Sequence, residues 1–352
     1  MMNKILIAGY GQFGALSDYY YWAKYLILEK YDVSFLGRRY DDARKMRERK
    51  LDSIRLITIP HSKLYIIFYT IRLFYEVAFG GYKAIILCPT PLTQWLPKLF
   101  PRKKIILDIR SESVAENPIK RAKENDIKMR RLHHFKYISF ISLEIMRKFG
   151  YNENDSSIIP LGGEELSHSN KDFHELRLMY IGTLSNRKLE DFLKGLGLYQ
   201  QQGGICTFDI IGGGLQDDID KMKKVICEYN IQNVVFHGVL NHEQARPFFD
   251  KCNVGVCYVP KTEYYINQPT TKLYEYTLSG MACIATSTNA IKKDFSPIFG
   301  VLVNDTPESV CHGLIKVFTN MSRLHSESIR KNAQKFHWRN VVCNYLIPII
   351  EA

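Results

Sequence analysis

One short stretch of the sequence combines a carboxylate, a cation and the local signals of a helix. Glu275 and Lys272 lie between Pro269, which suits a helix entrance because its missing N–H costs nothing there, and Gly280, which suits the left-handed residue that ends a helix. The apolar residues 281–285 then predict a buried strand. Two interpretations are open: Glu275 complements the positive end of the helix dipole, or Glu275 and Lys272 bind a polar ligand.

Residues 267–286, with the sequence NQPTTKLYEYTLSGMACIAT, resemble the signature of retaining nucleotide-sugar glycosyltransferases of family 4, which share the two-domain GT-B fold. Glu275 matches the second glutamate of that signature, and the resemblance implies that it accepts hydrogen bonds from the donor ribose. The first glutamate of the signature falls where this chain has Asn267, which is therefore placed at the donor. Lys272 is expected to add positive charge near the donor phosphates.

Two cations follow the predicted strand at residues 178–181. The resemblance implies that Arg187 and Lys188 neutralise the donor diphosphate, with Lys194 as an alternate for one of them. The chemistry needs such cations because negative charge grows on the leaving nucleoside diphosphate as the glycosidic bond breaks. The alternative is an exposed basic turn with no ligand.

Glycine-rich turns follow the first two predicted strands of the same region. Gly182 follows one strand, and Gly212 and Gly213 follow the next and resemble the family's Gly-x-Gly loop beside the nucleotide. His237, at the end of a third strand, is similar to the segment that precedes the family's base pocket. These four residues are expected to bind the donor.

Metal chemistry is not expected. Asp217, Asp218 and Asp220 form a string similar to the metal-binding Asp-x-Asp of a different glycosyltransferase fold, but their position predicts the acidic first turn of a helix. The ten histidines show no ligand spacing, and the eight cysteines show no C-x-x-C pair, which favours reduced structural thiols. We therefore expect no metal and no cofactor, with a nucleoside diphosphate sugar as substrate.

The N-terminal glycine pattern, residues 9–14, fits the G-x-G-x-x-G spacing of dinucleotide-binding proteins. Such proteins have an acidic residue at the end of the second strand, where this chain has Arg38 and Arg39, so NAD binding is not favoured. The resemblance implies that Gly11 and Gly14 line the cleft near the donor phosphates and the acceptor. A tight turn needed only for packing is the alternative.

Asp108 and Arg110 follow a predicted strand, in a segment that resembles an Asp-x-Arg sequence at the cleft wall of some bacterial family 4 proteins. Arg110 is expected to contact a phosphate or the acceptor, and Asp108 to orient it. A structural ion pair between the two is equally open.

Strands alternate with helical stretches in both halves of the chain, which is typical of doubly wound α/β domains. A polar, breaker-rich segment at 161–175 predicts a linker. We expect an acceptor-binding domain at 1–168, a nucleotide-sugar-binding domain at 169–335 and a helix at 336–352 that crosses back to the first domain. The predicted fold is α/β of the GT-B type, with two Rossmann-like doubly wound domains facing across a cleft. The predicted strands are 4–8, 33–36, 54–59, 84–88, 104–109, 137–141, 157–160, 178–181, 208–211, 234–237, 254–258, 283–285 and 301–303.

Positive charge is concentrated in the first half. The net charge is +12, and residues 1–168 hold 28 Lys and Arg against 18 Asp and Glu. This favours an anionic partner, either a membrane surface or a polyprenyl-diphosphate-linked acceptor, and the absence of nucleic-acid-binding motifs disfavours nucleic acid. The basic helical stretch 121–136 is either a solvated face or a membrane-docking surface.

We expect a cytoplasmic protein, peripheral at the inner face of the cell membrane, because the sequence shows no signal peptide and no apolar run of spanning length. The predicted function is retaining transfer of a sugar from a nucleoside diphosphate sugar to a carbohydrate or lipid-linked glycan acceptor, in bacterial surface polysaccharide or glycan synthesis. The alternatives are a GT-B-fold sugar-nucleotide epimerase or phosphorylase and a non-catalytic protein that binds anionic membranes.

Overall fold

A computed structural model describes residues 3–40, 50–90 and 92–352. The chain divides into two compact units. Unit 1 contains the residues up to Leu161 together with Trp338–Ala352, and unit 2 contains Gly162–His337. The sequence-based boundaries were placed at 168 and 336.

Unit 1 is built on a parallel sheet of seven described strands in the order β3-β2-β1-β4-β5-β6-β7. Its central strands are fully buried runs of Ile, Leu and Ala, as expected when helices cover both faces of a parallel sheet. The strands are β1 Lys4–Ala8, β2 Asp32–Arg39, β3 Arg55–Pro60, β4 Ala84–Leu87, β5 Ile105–Ile109, β6 Tyr137–Phe140 and β7 Ser157–Ile158.

The C-terminal segment of the chain packs within unit 1. The ring of Trp338 stacks on Tyr21 with the ring centroids 5.7 Å apart, and Trp338 is fully buried. Glu351, near the chain end, pairs with Lys83 and accepts a hydrogen bond from Tyr31. The helices of this unit are α1 Ser17–Leu28, α2 Tyr65–Phe79, α3 Leu96–Leu99, α4 Pro118–Leu132, α5 Leu143–Lys148, and at the C-terminus α13 Trp338–Val341 and α14 Ile347–Glu351.

Unit 2 repeats the same winding on a parallel sheet of six described strands, in the order β10-β9-β8-β11-β12-β13. Counted within the unit, this is the order 3-2-1-4-5-6 of a doubly wound Rossmann fold. The strands are β8 Leu176–Ile181, β9 Cys206–Ile211, β10 Val234–Gly238, β11 Val254–Cys257, β12 Ala282–Thr286 and β13 Gly300–Val303. The helices are α6 Leu189–Gln201, α7 Gln216–Glu228, α8 His242–Lys251, α9 Thr271–Leu278, α10 Asn289–Asp294, α11 Pro307–Thr319 and α12 Ser326–Ala333.

The predicted elements agree well with the observed ones. Each predicted strand overlaps an observed strand, and Asp217 and Asp218 lie in the first turn of α7, as predicted. The dipole interpretation of Glu275 is wrong, because α9 begins at Thr271 and its first turn holds no acidic residue. Gly280 has φ +74°, which confirms the left-handed residue predicted after this helix.

Candidate functional site

Two glycine loops meet at the carboxyl ends of β8 and β9. Gly212 has φ +152°, and a Cβ on it would lie 1.8 Å from the carbonyl oxygen of Gly182. No residue with a side chain fits there, so the sequence requires glycine. The N–H group of Gly182 donates to the Ile211 carbonyl, and that of Gly212 donates to the Gly238 carbonyl. These hydrogen bonds join the loops and occupy the amide groups of both glycines.

The loop after β9 continues this close packing. A Cβ on Gly213 would lie 2.7 Å from the side chain of Val239, and the Gly213 carbonyl accepts the Leu184 N–H at 3.0 Å. Ligands of open α/β sheets bind outside the carboxyl ends of the strands, which is where these loops lie.

Lys272 reaches this meeting point from α9. Its Nζ lies 3.0 Å from where a Cβ of Gly182 would be, and 5.0 Å from the ring centroid of Tyr180. The side chain is buried, and burial together with the nearby positive charge of Arg187 lowers the pKa of the amine to about 8. A buried ammonium beside a guanidinium is unfavourable unless an anion offsets the two charges.

Arg187 is the second cation of this group. Its guanidinium carbon lies 4.4 Å from the ring centroid of Tyr265, and its Nε is buried with no hydrogen-bond partner within the described ranges. Arg187 and Lys272 thus form a positively charged pair at the carboxyl edge of the sheet, each over a different tyrosine ring. The sequence analysis does not identify Tyr180 and Tyr265, although Tyr180 lies just before Gly182 and Tyr265 just before Asn267.

The other predicted cations differ from this pair. Lys188 occupies the N-cap position of α6 in a left-handed conformation, with φ +49°, and its side chain is exposed. Lys194 forms an ion pair with Asp191 at 2.9 Å. The structure therefore groups Lys272 with Arg187 by burial, and leaves Lys188 at the rim of the loop.

Glu275 lies in the middle of α9 with 8% of its surface exposed. The helix is anchored to the end of β8 by Tyr276, whose hydroxyl accepts the N–H of Ile181 at 3.0 Å. Gly163 passes so close that a Cβ on it would lie 2.9 Å from the backbone nitrogen of Glu275. Only glycine fits at this position, and its close packing holds the turn of α9 that contains Glu275 in position.

Two further predicted donor residues have partners within the protein. The side-chain oxygen Oδ1 of Asn267 accepts a hydrogen bond from the side-chain amide of Asn289 at 3.0 Å. The His237 ring lies 2.7 Å from the Asp209 carboxylate through Nε2 and packs on Phe248 at 4.4 Å. Their roles toward a donor stay predictions, and His237 is held by a contact that also serves the packing of α8 on the sheet.

The predicted residues of unit 1 lie at the carboxyl edge of its own sheet. Arg110 forms an ion pair with Asp18 and donates to the Ile159 carbonyl at 2.5 Å, and its Nε lies 3.8 Å from Asp108. Asp108 is fully buried and accepts a hydrogen bond from Ser139 at 2.8 Å, and burial raises the pKa of its carboxyl to about 7. The ion-pair interpretation of Asp108 and Arg110 is therefore confirmed, and contact with an acceptor stays a prediction.

The N-terminal glycine loop forms a tight turn after β1. Gly14 has φ +84°, and the Gly11 carbonyl accepts the backbone N–H of Arg38 at 2.9 Å, which joins the loop to the end of β2. A Cβ on Gly11 would meet no atom within 4 Å, so the loop leaves open space at this position.

No metal site is evident in the described parts of the chain: there, three or more His, Cys, Asp or Glu side chains are never grouped so that they could hold a metal ion. The independence from metals and cofactors stays a prediction about the reaction.

Comparisons with known proteins agree with this architecture. Residues 175–320 match the family model "Glycosyl transferases group 1". No curated protein matches the chain in sequence. Among solved structures, the chain is similar to a glycosyltransferase from Rickettsia africae, with 11% identity, coverage of 99% of this chain and 98% of that chain, and a TM-score of 0.72.

Two other solved structures show the same fold over their whole length. Anabaena HepE, solved with UDP and glucose, has 13% identity, coverage of 99% and 100%, and a TM-score of 0.74. WaaG, a glycosyltransferase involved in lipopolysaccharide biosynthesis, has 12% identity, coverage of 97% and 98%, and a TM-score of 0.69. The chain therefore has the GT-B fold, and residues 175–320 of its second unit are similar to the glycosyl transferases group 1, which confirms the predicted enzyme class, a glycosyltransferase.

Proposed function

We propose that the chain is a retaining enzyme that transfers a sugar from a nucleoside diphosphate sugar to a carbohydrate or polyprenyl-diphosphate-linked acceptor, in bacterial surface polysaccharide or glycan synthesis. The observation that carries the proposal is the pairing of buried Lys272 with half-buried Arg187, where the neighbouring Glu275 and Cys257 do not offset the effects of burial and of Arg187 on the pKa of Lys272. A diphosphate between the two cations would offset their charge. The UDP complex of HepE and the stated role of WaaG support this donor class and pathway.

In the proposed reaction the donor's bond between the anomeric carbon and the diphosphate oxygen breaks, and the electron pair leaves with the nucleoside diphosphate. The acceptor hydroxyl oxygen forms the new bond on the same face, and its proton passes to the departing diphosphate. Arg187 and Lys272 stabilise the charge that grows on this leaving group, which is the largest contribution available without a nucleophile. Lys188, at the rim, adds charge as the donor enters.

Glu275 supplies specificity for the nucleoside. Its buried position on a rigid helix suits a carboxylate that accepts hydrogen bonds from the two ribose hydroxyls. Retention of configuration rests on the resemblance of residues 267–286 to the family 4 signature, and the anomeric configuration of the product, read by NMR, tests it directly.

The first experiment is a thermal-shift panel with UDP, GDP, ADP, dTDP and CMP, because a ligand that binds only the folded state raises the Tm. We expect one nucleoside diphosphate to raise the Tm, and the shift to be lost in Arg187→Gln and in Lys272→Met. Removing a charge-assisted hydrogen bond weakens binding by about ten- to a hundredfold. The controls are Arg323→Gln and Lys292→Met, which remove exposed cations elsewhere in unit 2.

Transfer is then separated from epimerisation and phosphorolysis. We expect release of free nucleoside diphosphate from the donor to depend on added acceptor glycan. A donor that is epimerised with no nucleoside diphosphate released, or that is cleaved only by inorganic phosphate, would replace the proposal with one of those activities. No Tm shift with any nucleotide would contradict the donor site itself.

We also propose that unit 1 binds an anionic membrane surface, through a helix other than the one that the sequence suggested. Helix α4 carries the predicted basic stretch, but Lys128 donates to the Ser111 carbonyl, Arg121 to that of Ala115, and Arg130 pairs with Asp126. Helix α2 instead exposes an apolar face, with 51% to 77% of each side chain accessible. This α2 apolar face consists of Leu64, Ile67, Phe68, Ile71, Tyr75 and Phe79.

Charge near the α2 apolar face favours anionic lipid as its partner. The acidic residue of α2, Glu76, is buried and bound by Arg72. The Phe74 ring of α2 contacts Phe100, which is followed in the sequence by the basic residues Arg102 and Lys103. An apolar face flanked by cations is the pattern of an interfacial helix. None of the helices in the described residues is long and apolar enough to cross a membrane.

Vesicle co-sedimentation tests this surface. The variant Phe68→Glu/Ile71→Glu should lose binding to vesicles of phosphatidylglycerol and phosphatidylcholine. The control Ile205→Glu, which changes a side chain that is 79% exposed in unit 2, should retain it. Equal binding to vesicles of phosphatidylcholine alone would contradict the electrostatic argument. A change from dimer to monomer in the variant, with no change in lipid binding, would assign the face to a second copy of the chain instead.

A further inference from the structure

An arginine at the edge of the unit 1 sheet packs against two aromatic rings and forms no ion pair with any carboxylate among the described residues. Arg38 lies near the end of β2, and its guanidinium carbon is 4.0 Å from the ring centroid of Tyr65 and 4.8 Å from that of Tyr10. Tyr10 follows β1 and Tyr65 begins α2, so rings from two different elements pack against the group, with their centroids 5.5 Å apart. Their position is kept by the Tyr65 hydroxyl, which donates to the Tyr10 carbonyl at 3.2 Å.

The hydrogen-bonding edge of this guanidinium is largely unused. A guanidinium has five N–H donors. Nη1 donates to the Tyr40 hydroxyl at 3.0 Å, whereas Nε is buried and has no partner in the described part of the chain. Within residues 3–40, 50–90 and 92–352, no carboxylate forms an ion pair with Arg38, although Arg110 on the same sheet has Asp18 and Asp108.

The surroundings of Arg38 favour a negatively charged ligand. His61 lies beside Tyr40, with the ring centroids 5.1 Å apart. Tyr69 packs against Tyr10, with the ring centroids 6.4 Å apart. The Tyr69 hydroxyl is buried without a hydrogen-bond partner among the described residues. A half-buried cation with free donors in one plane matches the oxygen atoms of a phosphate, which arginine binds in a bidentate manner.

We propose that Arg38, packed against the rings of Tyr10 and Tyr65, binds a phosphate group of the acceptor substrate. The designation of the ligand as acceptor rests on the proposed function, because the donor diphosphate is assigned to Arg187 and Lys272 in unit 2. The phosphate site itself depends only on the geometry of unit 1. The proposal makes the acceptor an anionic molecule, either a sugar phosphate or a lipid-linked diphosphate.

The location agrees with how open α/β sheets bind ligands. Arg38 and Tyr10 lie at the carboxyl ends of β2 and β1, next to the position between β1 and β4 where the strand order reverses. The arginine occupies the place of the acidic residue that binds the ribose hydroxyls in NAD-binding domains. An arginine at this position disfavours NAD, and in the present proposal it binds a phosphate.

Binding of inorganic pyrophosphate to the full-length protein tests the site. The titration is followed by isothermal calorimetry in the presence of saturating UDP, so that the donor site is occupied. We expect Arg38→Gln to weaken pyrophosphate binding by about tenfold or more. Arg38→Lys keeps the charge but loses the planar fork, and we expect intermediate binding. Arg39→Gln, the adjacent exposed arginine, is the control and should bind as the wild type does.

Two phosphorylated probes identify the source of the phosphate. Glucose 6-phosphate represents a sugar phosphate and geranyl diphosphate represents a lipid-linked diphosphate, with glucose and geraniol as uncharged controls. The probe whose affinity depends on Arg38 names the acceptor class. The proposal is overturned when neither probe depends on Arg38, or when Arg39→Gln weakens binding as much as Arg38→Gln. Thermal unfolding of Arg38→Lys verifies that the fold is intact.

Failure of this site and failure of the proposed function give different results. A UDP-induced Tm shift that needs Arg187, together with pyrophosphate binding that ignores Arg38, would remove only the Arg38 proposal. Arg38-dependent phosphate binding with no nucleotide binding at Arg187 would keep the phosphate site and remove the proposed transferase donor site.

Discussion

Individual side chains of unit 2 acquire their chemistry from their neighbours. Lys272 and Arg187 are ordinary surface residue types, but here both are partly or wholly buried, and each lies over a tyrosine ring. The rings contact the cations without neutralising them. Under the proposed function, the pair is in place before the diphosphate binds, which lowers the reorganisation needed when the leaving group departs.

The lowered pKa of Lys272 predicts that nucleotide binding is linked to protons. In the protein without nucleotide, burial and the charge of Arg187 lower the pKa of the Lys272 amine to about 8. A bound diphosphate favours the ammonium form and raises this pKa. Binding of UDP at pH 8 should therefore take up protons, and the affinity should fall as the pH rises above 8. Calorimetry in two buffers of different ionisation enthalpy measures the uptake, and Lys272→Met should abolish it. Identical heats in both buffers for the wild type would contradict the linkage.

Two buried tyrosines provide a matched pair for the anchoring of α9. The Tyr276 hydroxyl accepts the N–H of Ile181, whereas the Tyr258 hydroxyl is buried without a partner in the described residues. Tyr276→Phe leaves a buried N–H unsatisfied and should lower the free energy of unfolding by about 1–3 kcal/mol. Tyr258→Phe should change it little. Urea unfolding of both variants measures the difference, and equal stability losses would show that the Ile181 bond does not anchor the helix.

At the scale of elements, the two glycine loops and α9 form the framework of the site. Gly255 on β11 lacks a side chain where the Tyr276 ring packs, since a Cβ there would lie 2.2 Å from that ring. Gly163 likewise lacks a side chain at the point where the backbone of Glu275 packs against it. The strand ends, loops and helix thus approach more closely than side chains permit, which explains why glycines occur at these points.

The contact between the loops predicts different results at two glycines of positive φ. In Gly212→Ala the new methyl group meets the Gly182 carbonyl oxygen, so we expect a loss of stability above the roughly 1 kcal/mol cost of the backbone conformation alone. Gly203 has φ +85° and open space around it, so Gly203→Ala should show the backbone cost only. Thermal unfolding and UDP binding compare the two. We expect nucleotide binding to fall in Gly212→Ala alone, and unchanged binding there would separate the loop from the site.

At the scale of the whole molecule, two units with the same strand order carry different chemistry. Both use the carboxyl edge of a parallel sheet, with glycine loops after the first strand. In unit 2 that edge holds the two cations proposed to bind a diphosphate, and in unit 1 it holds both the Asp108, Arg110 and Asp18 group and Arg38, packed on tyrosine rings. The shared fold supplies the place, and the side chains decide the ligand.

The return of the chain to unit 1 predicts that its last residues stabilise the N-terminal part. Trp338 is fully buried against Tyr21, and its replacement by alanine should destabilise unit 1 by about 3–5 kcal/mol. The control Tyr345→Ala changes a ring that is 43% exposed and should cost far less. Hydrogen exchange followed by mass spectrometry locates the effect. Loss of protection in unit 2 with no change in β1 and β2 would contradict this assignment.

The sequence by itself determined the elements and the class of the protein. Buried parallel strands are continuous apolar runs, and glycines and acidic first turns mark the boundaries between elements, so the predicted strands overlap the observed ones. The signature around Glu275 identified a glycosyltransferase, because a carboxylate, a helix stop and a strand at fixed spacing are local features that the linear sequence contains.

Only the tertiary structure decided which charged residues act together. The sequence analysis grouped Arg187 with Lys188 because they are adjacent. Adjacent residues at the end of a loop point in different directions, however, and Lys188 lies at the N-cap of α6. The cation whose pKa Arg187 lowers is Lys272, from a helix far along the chain. The same holds for Arg38, whose ring contacts come from the loop after β1 and the start of α2. Burial and electrostatic neighbours are properties of packing between distant segments, so no local pattern in the sequence could contain them.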